Sequence, residues 1–295
     1  MRFNCLLVIV LTFLLTACSI DDHLKNVVKV DDPILSENEN DFLGMITVFF
    51  PLQNGESTLI TFPNGKKLLI DTGSEKDVST LLELLEERKV TKIDYVMITN
   101  DLPTHAGGYP ELSNHFQIDT ILMPEAIHRS IQQVIPLPAN KKLILLGEGD
   151  ELTFDEKIVL KVLNPSEPLL LSPQDNSLVF QLKQDQLRFL FTSAISEKAE
   201  DRLLQRYTKI LRSEILKVAS QGSNQASSQV FLTKVDAQIA VIETGLSEKE
   251  MKANQEEIVE RLSESWAETY ITGIHGTISI LSNGKDYKVI KKKRE

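Results

Sequence analysis

Cysteine, tryptophan and positive charge are all scarce in this sequence of 295 residues. There are two cysteines, Cys5 and Cys18, and Cys5 lies in an apolar run at the extreme N-terminus. Removal of that run leaves one thiol, which excludes an intramolecular disulfide and a cysteine ligand cluster. Positive charge is short by ten: 32 Lys and Arg stand against 42 Asp and Glu. An acidic surface repels phosphate backbones, so direct nucleic-acid binding is not expected. The exception is Lys291-Lys292-Lys293-Arg294. It reads as a solvated basic tail, with contact to anionic lipid as the alternative. The apolar run from Cys5 to Leu15 is too short to span a bilayer comfortably. With no staple available, the fold must rest on its core, and roughly 250 residues can bury one as a single large domain.

The N-terminus carries Arg2, then the apolar run, then Leu15-Thr16-Ala17-Cys18. That ending resembles the bacterial lipobox, in which small residues precede a cysteine that is lipidated and becomes the mature N-terminus. An ordinary signal peptide with a chance cysteine is the alternative. The expectation is a signal peptide over 1–17, a lipid on Cys18, and a membrane-anchored protein on the extracytoplasmic side of the cell envelope. Residues 18–42 are polar and acidic, as in Asp31-Asp32-Pro33 and Glu37-Asn38-Glu39, and read as a flexible tether. Within it, the short Val27-Val28-Lys29-Val30 has the composition to dock on the domain.

The domain, 43–291, opens with strands at 45–50, 58–62 and 67–70, the last two joined at Asn64-Gly65, a tight-turn signal. A helix is predicted over 76–88, where Val78, Leu81, Leu82 and Leu85 recur at helical spacing. Further strands are predicted at 93–99, 120–123, 143–146, 158–163, 177–182 and 187–192. The second half reads as helices at 197–211, 227–235 and 248–264 alternating with strands at 215–219, 238–243 and 268–271. Strands at 277–281 and 287–290 flank Asn283-Gly284 and close the domain, leaving 292–295 as the basic tail. Two strand-rich blocks with helices imply an α/β fold of two facing sheets.

Several local sequences resemble the metallo-β-lactamase superfamily, in particular the hydrolase-like domain of ComEC-type competence proteins. They are Pro63-Asn64-Gly65 leading to Asp71-Thr72-Gly73, Lys92 to Thr99 before Gly107-Gly108, Asn176-Ser177-Leu178-Val179, and Phe189-Leu190-Phe191-Thr192. Leu216-Lys217-Val218-Ala219 with Gly222-Ser223, and Gly276-Thr277-Ile278, complete the series. The resemblance covers about 45–290 and implies a four-layer αββα sandwich. In active members it implies two metal ions sharing a hydroxide that attacks an ester, amide or phosphodiester.

The same resemblance shows what is missing. Its first ligand loop reads Thr-His-x-Asp-x-Asp-His-x-Gly-Gly; here Asn100, Leu102 and Thr104 replace ligands, and His105 alone remains. Ala194 stands where a bridging aspartate is implied, and Ser220-Gln221 where two histidines are. No histidine occurs near Ala253-Asn254, where a last one is implied. The supporting Asp71 persists, with a hydrogen-bonding role expected. Asp101 and His275 are scattered further donors, whereas His23, His115 and His128 lie away from the loop. Ser220 and Ser223 near His105 lack an orienting acid or oxyanion hole, so serine nucleophile chemistry is not expected.

One imidazole is too little for a dinuclear site. No catalytic residue and no cofactor is expected, with His105 the one weak metal candidate and zinc or manganese the alternative. The expected function is a non-catalytic, lipid-anchored domain that binds a protein or small molecule or serves as a scaffold. Two alternatives stay open: a metal-dependent hydrolase of esters or phosphodiesters with an atypical site, and an accessory factor in DNA uptake.

Overall fold

Apolar alternation along the strands gives each sheet two buried faces, and helices cover the outer ones. A computed structural model describes residues 39, 41–135, 137 and 141–293. The expected signal peptide, Cys18, His23, Val27–Val30 and the tether up to 38 lie outside the described residues, as do Arg294 and Glu295.

The first sheet begins with β1 (Met45–Phe49), β2 (Thr58–Thr61), β3 (Lys67–Ile70) and β4 (Lys92–Met97), and continues with β5 (Gln117–Pro124) and β6 (Lys142–Leu146). The second holds β7 (Glu151–Asp155), β8 (Ile158–Asn164), β9 (Val179–Gln184), β10 (Leu187–Phe191), β11 (Ile215–Lys217), β12 (Ile239–Ile242) and β13 (Glu268–Ile271). The chain then returns to the first sheet with β14 (Thr277–Ser282) and β15 (Tyr287–Lys292). The strand orders are β15-β14-β1-β2-β3-β4-β5-β6 and β13-β12-β11-β10-β9-β8-β7. Between β3 and β6, and between β10 and β13, the pairing is parallel, which brings strand C-terminal ends together at one edge.

The helices are α1 (Val78–Glu87), α2 (Pro103–Ala106), α3 (Tyr109–His115), α4 (His128–Val134), α5 (Glu197–Tyr207), α6 (Gln229–Val235), α7 (Glu248–Asn254), α8 (Glu256–Glu264) and α9 (Thr272–His275). One core lies between the sheets, where Phe49 and Phe180 both stack on Phe191. A second joins the first sheet to α1, α3 and α4, and a third joins the second sheet to α5, α6, α7 and α8. The layers are therefore helix, sheet, sheet, helix, as expected. Gly65 and Gly284, at φ +80° and +92°, supply the left-handed backbone that both Asn-Gly hairpins need.

Several elements differ from the sequence reading. The helix expected over 248–264 is two helices, because Gln255 leaves helical geometry and Asn224 Oδ1 accepts the amide of Ile258 to start α8. The strand expected to end at Ile290 continues to Lys292, so part of the basic tail is sheet. β7 and the short helices α2, α3, α4 and α9 were not anticipated. The helices are too short for a helical period to stand out, and β7 carries charge at both ends, Glu151 and Asp155.

Candidate functional site

Six loops converge where the parallel strands of both sheets end. They follow β3 (Asp71), β4 (Thr99 to Gly108), β10 (Ser193, Ala194), β11 (Ser220, Gln221) and β12 (Glu243), and precede β2 (Glu56).

Asp71 lies beneath the loop after β4. Its Oδ1 accepts the amide of Thr99 at 2.8 Å and its Oδ2 the Thr99 hydroxyl at 2.7 Å. That hydroxyl is 2.6 Å from Ser193 Oγ, which accepts Asn100 Nδ2 at 2.9 Å. Asn100 Oδ1 takes the amide of Leu102 at 2.8 Å. The Asn100 side chain, at a position where the resemblance implies a histidine, thus closes a neutral chain of hydrogen bonds. Thr104 Oγ1 lies 3.0 Å from His105 Nδ1, and His105 is almost wholly buried.

The other side of His105 meets a group that the sequence reading did not single out. Its Nε2 lies 2.9 Å from Glu56 Oε2, a charge contact that falls short of an aligned hydrogen bond. Glu56 Oε2 also receives the Lys217 ammonium, and Oε1 accepts the amide of Gln221 at 3.0 Å. Nearby, Glu243 Oε2 accepts the Thr58 hydroxyl at 3.0 Å. Glu56, Lys217 and Glu243 are all buried. The signal that could have found them is a charged residue at the edge of an apolar strand, as in Ile215-Leu216-Lys217 and Val241-Ile242-Glu243.

Burial pushes the Glu56 carboxyl up, but Lys217 and His105 together outweigh it and hold it at about 2. For His105, burial acts downward, and Glu56 and Asp71 overcome it to leave the imidazole above its ordinary value. Burial raises Asp71 to about 6, against the pull of His105 and the Thr99 bonds. Burial also raises Glu243, to about 8, with Lys217 opposing. Near neutral pH, Glu56 and Asp71 are therefore mostly anionic, with Lys217 paired to Glu56, and Glu243 is mostly uncharged.

Glu56, Asp71 and His105 present ligand atoms within 4.8 Å of one another, the group among the described residues that could take a metal ion. The donor set fits one poorly. Both Asp71 oxygens and both Glu56 oxygens already accept hydrogen bonds or charge contacts, and an ammonium sits on Glu56. An incoming divalent ion would meet the Lys217 ammonium already seated on Glu56. The space left among Thr58, Asp71, Thr99, Ser193, Lys217 and Glu243 is about 10 Å³, room for about one water.

The remaining positions fall as follows. Leu102 joins this edge through its amide, and Ala194 is a buried apolar residue after β10. Ser220 donates its amide to the Ser193 carbonyl and its hydroxyl to the Ile195 carbonyl. Asp101 accepts a hydrogen bond from Ser130, and His275 Nδ1 accepts the amide of Ile271, so neither joins the cluster. His115 and His128 bond carbonyls within their own segments.

Residues 51–192 match the model of the metallo-beta-lactamase superfamily. The chain is 20% identical over 212 residues to ComE operon protein 3 of Bacillus subtilis, and 25% identical over 192 residues to Competence protein ComA of Neisseria gonorrhoeae. Each match covers 65% of this chain but only 27% and 26% of those relatives, about a quarter of their length. Among solved structures, the metallo-beta-lactamase fold protein YhfI from Bacillus subtilis superposes with a TM-score of 0.55 at 13% identity, over 80% of this chain and 99% of that one. A putative metal-dependent hydrolase from Parabacteroides distasonis gives a TM-score of 0.50 at 15% identity, over 77% and 93%. The layer order, the matched family model and these likenesses agree, and the chain is a protein of the metallo-β-lactamase fold.

Proposed function

We propose that this is a lipid-anchored protein of the cell envelope whose metallo-β-lactamase-like domain is a non-catalytic scaffold or binding module. The observation that carries the reading is the contact of Lys217 with Glu56. A protein cation occupies the donor group that would otherwise attract a metal, while Asn100, Leu102, Thr104, Ala194, Ser220 and Gln221 offer no strong ligand. The small residual space among the buried groups supports a scaffold more than a small-molecule site there.

The test is elemental analysis of the purified mature protein after dialysis. Zinc and manganese well below one equivalent per chain are expected. One or more tightly held ions would overturn the reading in favour of an atypical metal-dependent hydrolase, for which Glu56, Asp71 and His105 are the candidate ligands. The anchor has a separate test. Cys18→Ala should shift the protein from the membrane to the soluble fraction; unchanged fractionation would remove the lipid from the proposal. A role beside DNA uptake is suggested by the names of the competence relatives, whose matched part is a quarter of each.

A further inference from the structure

The net charge of −10 hides a local reversal. On the outer face of the first sheet, beyond the C-terminal end of α1, lies a groove of about 660 Å³. Its floor is apolar, with Ile46, Val48, Leu59 and Val90 among its lining residues. Its charged rim holds four cations, Lys67, Arg88, Lys89 and Lys292, and two carboxylates, Glu39 and Glu87. Both carboxylates are already paired: Glu39 with Arg88, and Glu87 with Lys292 at 3.7 Å. Lys67 and Lys89 have no ion pair among the described residues, and Lys89 is exposed.

β15 extends this surface. It is the edge strand of the sheet, and its side chains alternate between faces. Val289 packs towards the core between the sheets, so Ile290 and Lys292 belong to the opposite, outer face. Lys291 to Lys293 are exposed. Lys292 is therefore part of a shaped surface: an edge strand fixes it beside a half-buried Ile290 and a groove with an apolar floor, whereas Lys291 lies over the Tyr270 ring on the other face. Lysines with aliphatic stems around apolar side chains match the boundary of a membrane, where anionic headgroups lie over hydrocarbon. Among the described residues no helix is long and apolar enough to cross a membrane, so such contact would be peripheral.

We propose that this face, formed by Lys67, Lys89, Ile290 and Lys292, docks on anionic lipid headgroups. It would set which side of the domain faces the bilayer. The proposal does not depend on the lipid at Cys18, and its test removes that lipid. The mature chain from residue 18, carrying Cys18→Ser, is sedimented with phosphatidylcholine vesicles and with vesicles containing equimolar phosphatidylglycerol.

Binding to the anionic vesicles alone, weakening as salt is raised, is the expected result. Combined Lys67→Glu, Lys89→Glu and Lys292→Glu should lower that binding by roughly tenfold or more, since each lysine near a charged surface matters. Lys249→Glu with Lys252→Glu, on α7, should leave it unchanged, and circular dichroism should show all variants folded. Equal binding to both vesicle types, no binding, or a triple variant that binds like its parent would overturn the proposal. So would competition by millimolar inorganic phosphate at constant ionic strength, which would mark a phosphate site instead.

Discussion

Lys217 and Glu243 are the residues through which the buried cluster is best tested. Lys217 lies on a strand buried on both sides, and its ammonium has Glu56 as its ion-pair partner. Removing one member of a buried pair leaves the other charge unpaired, so Lys217→Met should destabilise the domain by about 3–5 kcal/mol. Adding Glu56→Gln should recover part of that loss. Chemical denaturation of the parent, both single variants and the double variant gives the coupling, and a double variant as unstable as the summed singles would refute the pairing.

Glu243 gives a pH dependence. Its carboxyl is raised by burial from 4.5 to about 8. Between these values the folded chain keeps a proton that the unfolded chain has released. Stability therefore falls as pH rises through that window, by at most about 1.4 kcal/mol per pH unit, and levels off above it. Asp71, raised to about 6, acts in the same direction over a lower window, and His105, raised from 6.5, acts in that direction from 6.5 upward. Glu243→Gln mimics the neutral carboxyl at every pH. Relative to the parent its stability should climb from about pH 5 to about pH 8 and then stay flat, read by thermal melts across pH. A constant difference would mean that Glu243 is ionised throughout. Charged residues ending apolar strands were the one sequence signal of this cluster; Glu56, Lys217 and Glu243 lie far apart in the chain, and only the fold brings them together.

At the scale of elements, the loop after β11 holds a shape that its residues do not favour. Ser220 and Gln221 are consecutive left-handed residues, at φ 50° and 56°, and Gly222 follows at 78°. Side chains with a Cβ pay for that conformation, whereas glycine does not. The Gln221 amide, which bonds Glu56, survives any substitution except proline. Gln221→Gly should therefore stabilise the domain by about 0.5–1 kcal/mol in denaturant melts, despite the greater freedom it gives the unfolded chain. A loss of stability would show that the side chain itself contributes more than the backbone relief.

The same loop shows what was readable. Gly222 and the strand before it were recognisable by sequence, as were the Asn-Gly hairpins, the helix face of Leu81 and Leu85, and the apolar strands of the second sheet. Strand ends came within a few residues. The short helices α2, α3 and α4 were not readable, because one or two turns show no periodicity and their packing comes from the sheet beneath. The break at Gln255 was hidden for a different reason. The amide that begins α8 is capped by Asn224, which is 34 residues away in sequence.

For the whole molecule, the fold and the missing ligands lead to one prediction about metal and stability. An ion that binds the folded chain alone stabilises it by RT ln(1 + [L]/Kd), about 2.7 kcal/mol at a hundredfold excess over Kd. A metal site of useful affinity would therefore raise the melting temperature by several degrees in zinc or manganese and lower it in chelator. Here the cluster at the sheet edge already holds a cation of its own: Lys217 pairs with Glu56, and Asp71 accepts the amide and hydroxyl of Thr99. Added metal would have to displace an ammonium from a buried carboxylate, which costs it the affinity that an empty donor set would provide. The melting temperature of the parent should thus be the same in chelator as in micromolar zinc or manganese. The comparison that makes this decisive is Lys217→Met. With the ammonium gone, Glu56, Asp71 and His105 keep their spacing without a competing cation, and zinc should stabilise that variant more than the parent. A parent that gains as much from zinc as the variant would show that Lys217 does not exclude the ion.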